Sequence, residues 1–125
     1  MRILVTGGAG FLGSNYIDLL LRTTNADVVT FDAFTYAGSR NNLERAIDRS
    51  RHRLIQGDIR DENLVRRAVA DADVIAHFAA ETHVDRSIAD ASDFVSTNVS
   101  GTRTILDAAL QSDVDRVIHM STDEV

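Results

Sequence analysis

The sequence contains no cysteine among its 125 residues. This absence excludes disulfide bonds, thiolate chemistry and zinc sites built on cysteine ligands. Long apolar runs are missing too, since none approaches the roughly 20 residues that a membrane-spanning helix needs. The amino terminus enters a predicted strand without the charged-then-apolar layout of a signal peptide. We therefore expect a soluble, cytoplasmic protein with no membrane partner.

Basic residues are outnumbered by acidic ones. The chain has 13 Lys and Arg against 19 Asp and Glu, which gives a formal net charge of -6. Surfaces that bind nucleic acid need clustered basic side chains. Arginines between Arg40 and Arg67 are interleaved with acids, which is typical of a solvated face. We expect no nucleic-acid partner. The hydrophobic content of 44% and the length are those of one globular domain.

Apolar runs and amphipathic segments alternate along the chain. The runs predict five strands, at residues 2–6, 27–32, 52–56, 73–78 and 116–120, and the segments between them predict helices at 11–22, 42–49, 61–70 and 91–111. Alternation of this kind predicts an α/β fold with a doubly wound parallel sheet of strand order 3-2-1-4-5. Because such sheets normally continue, we expect that residues 1–125 are the amino-terminal part of a longer protein, truncated after the fifth strand.

A glycine cluster follows the first strand. Gly8, Gly10 and Gly13 fit G-x-G-x-x-G, and Gly7, Gly10 and Gly13 fit G-x-x-G-x-x-G. The pattern alone is weak, but a strand precedes it, a helix follows it, and Asp32 ends the next strand. Such a turn lets backbone approach a pyrophosphate, and the carboxylate accepts hydrogen bonds from a ribose diol. The motif predicts a dinucleotide site that favours NAD over NADP; the alternative is a glycine-rich turn beside a surface aspartate.

Further candidate residues follow the third, fourth and fifth predicted strands. Asp58 lies where such folds bind ligands and is a candidate for the adenine edge, with a turn-forming or capping role as the equal alternative. Asp123 and Glu124, beside Thr122, form a candidate acid–base pair, because neighbouring carboxylates split their pKa values. The alternative for that pair is an ordinary surface loop.

Histidines and acids between the fourth strand and the next helix do not match a metal site. His77, Glu81, His83 and Asp85 lack a spacing diagnostic of zinc, so we interpret them as polar loop residues and expect no metal. His52 and His119 fall in predicted strands, where a structural role is expected.

Several strings together resemble one family. TGGAGFLGS (6–14), FDAFTYAG (31–38), GDIRD (57–61), HFAAETHVDRSI (77–88), TNVSGT (97–102) and HMSTDEV (119–125) resemble the dTDP-glucose 4,6-dehydratases of the extended short-chain dehydrogenase/reductase family. The resemblance covers the whole chain and implies a Rossmann-type fold, a homodimer and NAD as cofactor. The TYAG, HVDRS and STDEV strings are the specific ones, because sugar-nucleotide epimerases lack the acidic pair.

The resemblance also implies roles for particular residues. Thr82 and Thr122 would contact the glucose ring, Glu124 would remove the C5 proton and Asp123 would protonate the departing C6 hydroxyl, while hydride passes from C4 to NAD and back to C6. The residues implied to contact NAD are Gly7, Gly10, Phe11, Leu12, Gly13, Asp32, Ala33, Phe34, Thr35, Gly38, Asp58, Ile59, Phe78, Ala79, Ala80 and Thr97.

The chain departs from the family pattern at three points. Ala33 stands where lysine is common, and Thr82 replaces the usual serine. The Tyr-x-x-x-Lys pair is absent, since Leu20 and Arg40 follow Tyr16 and Tyr36 at that spacing. We therefore expect no turnover from these residues alone. The alternatives to a dTDP-glucose dehydratase are a UDP-sugar dehydratase or epimerase, and a non-catalytic NAD-binding fragment.

Overall fold

Five parallel strands form the sheet, in the order β3-β2-β1-β4-β5. The computed structural model describes residues 1–47, 49–82 and 91–122. The strands are β1 Arg2–Thr6, β2 Asp27–Asp32, β3 His52–Gln56, β4 Val74–His77 and β5 Arg116–His119. The register pairs Leu4 of β1 with Val29 on one side and Ile75 on the other. The predicted fold class and strand order are confirmed.

Helices connect the strands and cover both faces of the sheet. They are α1 Phe11–Thr23, α2 Glu44–Ile47 after a 3₁₀ turn at Arg40–Leu43, α3 Glu62–Val69, α4 Ala91–Val95 and α5 Thr102–Leu110. A π-helical turn, Ser96–Gly101, joins α4 to α5. Asp61 caps α3 by accepting a hydrogen bond from the Leu64 backbone at 3.0 Å, and Glu62 in the first turn complements the helix dipole. No helix in the described ranges is long and apolar enough to cross a membrane.

Alternate residues of the strands feed two separate cores. Leu4, Phe31 and Ile75 point to the face covered by α3 and α5, and Val5 and Val28 point to the face covered by α1. Burial on both faces explains why the central strands β1, β2 and β4 are nearly continuous apolar runs, whereas the outer strands β3 and β5 are less buried and carry polar residues. The two layers of helices hold the sheet so that the carboxyl ends of the described strands share one edge.

Three predicted strands, at 2–6, 27–32 and 52–56, match the structure residue for residue, whereas the fourth and fifth are shorter by one or two residues. The predicted helix at 42–49 begins earlier, because Ser39 accepts a hydrogen bond from Asn41 and starts a 3₁₀ turn. The predicted continuous helix at 91–111 is interrupted by the π-helical turn. The sequence does not reveal this wide turn, since STNVSG carries only one apolar residue to mark the phase of the helix.

Candidate functional site

A crevice of about 500 Å³ lies at the carboxyl ends of the strands, which is where open α/β sheets bind ligands. Its lining comes from the glycine turn, from the loops after β2, β3 and β4, and from the helices after β4: Gly7, Gly10, Phe11, Leu12, Gly13, Phe31, Asp32, Ala33, Thr35, Tyr36, Ala37, Gly38, Gly57, Asp58, Ile59, Arg60, Phe78, Ala79, Ala80, Glu81, Thr82, Asp93 and Thr97. The crevice thus gathers almost every residue predicted to contact a cofactor, and Thr82, predicted to contact the sugar.

The glycine turn forms the floor of this crevice. Gly7 has φ +66°, and a Cβ there would lie 2.6 Å from the backbone nitrogen of Ala79. A Cβ at Gly13 would overlap the carbonyl oxygen of Gly7. A side chain at either position would therefore separate β1, the start of α1 and the loop after β4.

The amino terminus of α1 fits an anionic group. Gly10 caps the helix without any side-chain hydrogen bond, and the first turn carries no acid. The first N–H groups of a helix lack intrahelical partners and form the positive end of its dipole. Phe11 and Leu12, 78% and 57% exposed, present apolar surface at the rim of the crevice. This arrangement suits a pyrophosphate covered by apolar side chains.

Asp32 is already engaged in two hydrogen bonds from the backbone. Its Oδ2 accepts from the nitrogen of Ala9 at 2.9 Å, and its Oδ1 accepts from the nitrogen of Phe34 at 2.8 Å. Each carboxylate oxygen keeps further acceptor capacity for a ribose hydroxyl. The carboxylate therefore ties the glycine turn to the loop after β2, a role that the sequence motif did not reveal.

Phe34 is the one predicted cofactor-binding residue that the structure does not bring to the crevice. Its backbone has φ 53°, its ring packs against the α1-side core, and the guanidinium of Arg40 lies 4.9 Å from the ring centroid. The hydrogen bond from its nitrogen to Asp32 fixes this turn, so the side chain leaves the lining formed by Ala33 and Thr35.

Asp58 has the turn-forming role considered from the sequence and also lies in the crevice lining, while its contact with adenine stays a prediction. It lines the crevice, and its Oδ1 accepts a hydrogen bond from the backbone of Arg60 at 2.9 Å, as in a turn-forming aspartate. The Arg60 guanidinium, with Nη2 2.7 Å from Asp58 Oδ2, holds the pKa of Asp58 below its usual range. Arg60 was not among the predicted site residues, because a lone arginine after a strand carries no spacing signal.

His77 is buried at the end of β4, directly beneath the crevice. Its Nδ1 is hydrogen-bonded to Thr6 Oγ1 at 2.6 Å and its Nε2 to Thr102 Oγ1 at 2.9 Å, while the ring stacks on His119. Thr6 Oγ1 also accepts from the nitrogen of Ala79 at 3.3 Å. Burial, followed by repulsion from His119, lowers the pKa of His77 to about 4. The neutral imidazole thus joins β1, β4 and α5.

No group of three or more potential metal ligands occurs in the part of the chain that the structure describes. Of the four residues considered for such a cluster, His77 is committed to two threonines and Glu81 accepts a hydrogen bond from the Tyr36 hydroxyl. His83 and Asp85 lie outside the described residues.

The predicted acid–base segment follows β5. Thr122 is exposed just beyond that strand and is not part of the crevice lining. Asp123 and Glu124 lie outside the described residues. Since β5 pairs in parallel with β4, its carboxyl end faces the same edge of the sheet as Phe78 and Ala79. The roles of these three residues stay predictions.

Asn98 is a second site residue that the sequence reasoning missed. Its carboxamide exchanges two hydrogen bonds with the backbone of Glu81, a residue of the crevice lining. The signal that could have found it is its position in the string TNVSGT, next to Thr97.

The family model of the NAD dependent epimerase/dehydratase family matches residues 3–125, and the chain belongs to this family. It is 62% identical over its whole length to the low-salt glycan biosynthesis protein Agl12 of Haloferax volcanii, of which it covers 40%. The chain thus spans about two fifths of that curated relative's length.

Solved structures give the same assignment. The dTDP-glucose 4,6-dehydratase DesIV of Streptomyces venezuelae, solved with NAD bound, superposes with a TM-score of 0.95 at 51% identity, over 100% of this chain and 40% of that one. A UDP-glucose 4-epimerase of Thermotoga maritima superposes with a TM-score of 0.88 at 30% identity, over 98% of this chain and 38% of that one. The resemblance to the dehydratases seen in the sequence is confirmed.

The buried imidazole predicts a pH dependence of stability. Because the pKa of His77 is about 4 in the folded state, below its ordinary value of about 6.5, only the unfolded chain gains this proton between those values. The stabilisation is complete above pH 6.5 and is lost as the pH falls toward 4. We expect the free energy of unfolding to drop by about 2 kcal/mol from this group between pH 7.5 and 5.

Urea unfolding at both pH values measures this loss. In His77→Gln the drop should be smaller than in the unaltered chain by about that amount, although the variant is less stable at pH 7.5. His52, whose pKa burial also lowers, contributes equally to both proteins and cancels in the difference. Identical pH dependence in the two proteins would show that His77 does not titrate in this way.

Proposed function

We propose that this chain is the NAD-binding portion of a nucleotide-sugar 4,6-dehydratase that acts on dTDP-glucose. The observation that carries the proposal is the glycine-floored crevice, which joins a helix amino terminus to Asp32 in a chain 51% identical to a dTDP-glucose 4,6-dehydratase solved with NAD. The cofactor predicted from the sequence agrees with the family to which the chain belongs.

The proposed binding mode follows from the lining of the crevice. The pyrophosphate would lie on the first turn of α1, between the glycine turn and the apolar surface of Phe11 and Leu12. The adenosine ribose would donate hydrogen bonds to Asp32, and the adenine would lie between Asp58 and Ile59. Ala79, Ala80 and Thr97 would face the nicotinamide half. These assignments rest on position at the crevice and on the resemblance to the dehydratases.

The chemistry is proposed for the segment after β5. When bound, NAD supplies a reversible hydride acceptor. Thr82 and Thr122 would orient the sugar, Glu124 would take the C5 proton, which a C4 ketone acidifies, and Asp123 would give a proton to the departing C6 hydroxyl. Two adjacent carboxyl groups suit this division of labour because one ionises more readily than the other.

A UDP-sugar epimerase is the second candidate, favoured by the 30% identity to the Thermotoga maritima enzyme. The base specificity would be set largely outside these 125 residues. A non-catalytic NAD-binding fragment, a homodimer and a cytoplasmic location also stay predictions.

Asp32 predicts the choice of cofactor. Asp32 is 8% exposed, and two backbone donors fix its carboxylate. Because the carboxylate cannot rotate away, it would repel the 2′-phosphate of NADP. We expect calorimetry on the naturally encoded protein to give a dissociation constant for NADP at least about tenfold above that for NAD, a difference of about 1.4 kcal/mol. Equal or tighter binding of NADP would contradict this role of Asp32.

The acidic pair predicts the reaction. With dTDP-glucose, the naturally encoded protein should form a 4-keto-6-deoxy sugar nucleotide without net reduction of NAD. The double variant Asp123→Asn, Glu124→Gln should lower this rate by at least about 100-fold, since each positioned acid or base contributes on that scale.

The control for the double variant is its affinity for NAD, which should be unchanged. Product formation at the unaltered rate would refute the assignment of the pair. Interconversion of UDP-glucose and UDP-galactose without any dehydration would favour the epimerase.

A further inference from the structure

The π-helical turn Ser96–Gly101 packs between two walls of the crevice. On one side Gly101 approaches Ile59 so closely that a Cβ would lie 2.6 Å from the isoleucine Cδ1. On the same side the Ser96 hydroxyl lies 3.4 Å from Arg60 Nη1. Thr97 reaches the crevice itself. Wide turns of this kind inside helices occur frequently at functional sites, because they redirect side chains that a regular helix would place elsewhere.

On the other side, Asn98 binds the loop after β4 through two hydrogen bonds. Asn98 Oδ1 accepts from the backbone nitrogen of Glu81 at 2.7 Å, and Asn98 Nδ2 donates to the carbonyl oxygen of Glu81 at 3.0 Å. Both partners are backbone groups of fixed character, so only one orientation of the carboxamide satisfies them. The Asn98 side chain thus gives the Glu81 backbone the donor and the acceptor that a neighbouring strand would provide within the sheet.

The loop is held at a second point as well. The nitrogen of Ala79 donates to Thr6 Oγ1 at 3.3 Å, and the same threonine hydroxyl is bonded to the buried His77. The stretch from Ala79 to Glu81 is therefore fixed at one end by β1 and at the other by Asn98. All three residues of this stretch line the crevice.

We propose that Asn98 is a positioning residue for the dinucleotide, because its carboxamide fixes the backbone of Glu81 and with it the wall of the crevice. The inference rests on the proposed function, since it takes NAD as the ligand. It adds a residue whose side chain acts through the loop after β4. Substitution of Asn98 should therefore change the affinity for NAD. The change should depend on the hydrogen-bonding groups at position 98 and not only on the volume of the side chain.

The variant Asn98→Asp tests this hydrogen-bonding pattern, because the protonation state of the introduced carboxyl group changes with pH. An ionised carboxylate only accepts hydrogen bonds, so it keeps the bond from the Glu81 nitrogen but turns an oxygen toward the Glu81 carbonyl. A protonated carboxyl group has one donor and one acceptor and restores both bonds. We expect NAD to bind the variant about tenfold more weakly than the unaltered protein at pH 8, because one amide–carbonyl hydrogen bond is lost and two oxygen atoms face each other in its place. A half-buried carboxyl group that faces the Glu81 carbonyl oxygen has a pKa raised above the ordinary aspartate value of about 3.9, so this ratio should fall as the pH is lowered to 5.

Two further variants serve as controls. The affinity of every variant for NAD is measured by calorimetry on the naturally encoded protein. Asn98→Leu has similar volume but neither polar group, so its weaker binding should be independent of pH. Asn63→Asp adds the same charge on α3, at an exposed residue outside the crevice lining, and should leave affinity unchanged.

Other titratable or charged groups on the packed elements are present in every protein compared, so ratios to the unaltered protein cancel them: Asp58, Arg60, His77, Glu81, Asp93 and His119. Thermal unfolding of each variant establishes that it is folded at both pH values.

The outcomes are distinct. Recovery of affinity at pH 5 in Asn98→Asp, without recovery in Asn98→Leu, supports the proposal. Unchanged affinity in both variants, or an equal loss at all pH values in both, overturns it while the NAD-binding function stands. Failure of the unaltered protein to bind NAD removes the proposed function instead.

Discussion

The close approach of the glycine turn to the loop after β4 is the contact on which the site depends. At Gly7 the backbone lies so near Ala79 that no side chain fits, and at Gly13 the first turn of α1 lies directly on Gly7. These contacts bring the amino terminus of α1 to the carboxyl end of the central strand β1, where its free N–H groups are available to an anion. Without them the helix would stand off from β1, and the crevice would lose its floor.

Hydrogen bonds from side chains to backbone then fix the walls around that floor. Asp32 ties the glycine turn to the loop after β2, and Asn98 ties the loop after β4 to the π-helical turn. His77 lies beneath and joins Thr6 to Thr102 as a neutral ring. Each tether is made by one buried or half-buried side chain, so the crevice is preorganised before any ligand arrives, which reduces the entropic cost of binding.

The sequence was a good guide to the sheet and a weaker one to the tethers. Buried parallel strands are short apolar runs, so both ends of residues 2–6 and 27–32 could be predicted. The bounds at 52–56 were also right, although that strand is only partly buried and has two apolar residues. The G-x-G-x-x-G spacing and Asp32 located the crevice, because a dinucleotide site needs glycines in the first turn and a carboxylate at the end of the next strand. Arg60 was missed because a lone arginine after a strand carries no spacing signal, and Asn98 because its contact with Glu81 spans 17 residues of sequence. The position of Phe34 outside the crevice lining goes with a positive φ that leaves no pattern in the sequence, and its contact with the cofactor stays a prediction. The residues alone made Asp123 and Glu124 a candidate acid–base pair, and only the resemblance implied a separate role for each.

The central claim is that a nicotinamide dinucleotide lies along this crevice. A crystal structure of the naturally encoded protein with NAD tests it most directly. The account predicts the pyrophosphate on the first turn of α1, the adenosine ribose within hydrogen-bonding distance of Asp32, and the nicotinamide beside the loop that Asn98 holds. A dinucleotide bound elsewhere, or one whose ribose lies away from Asp32, would contradict it.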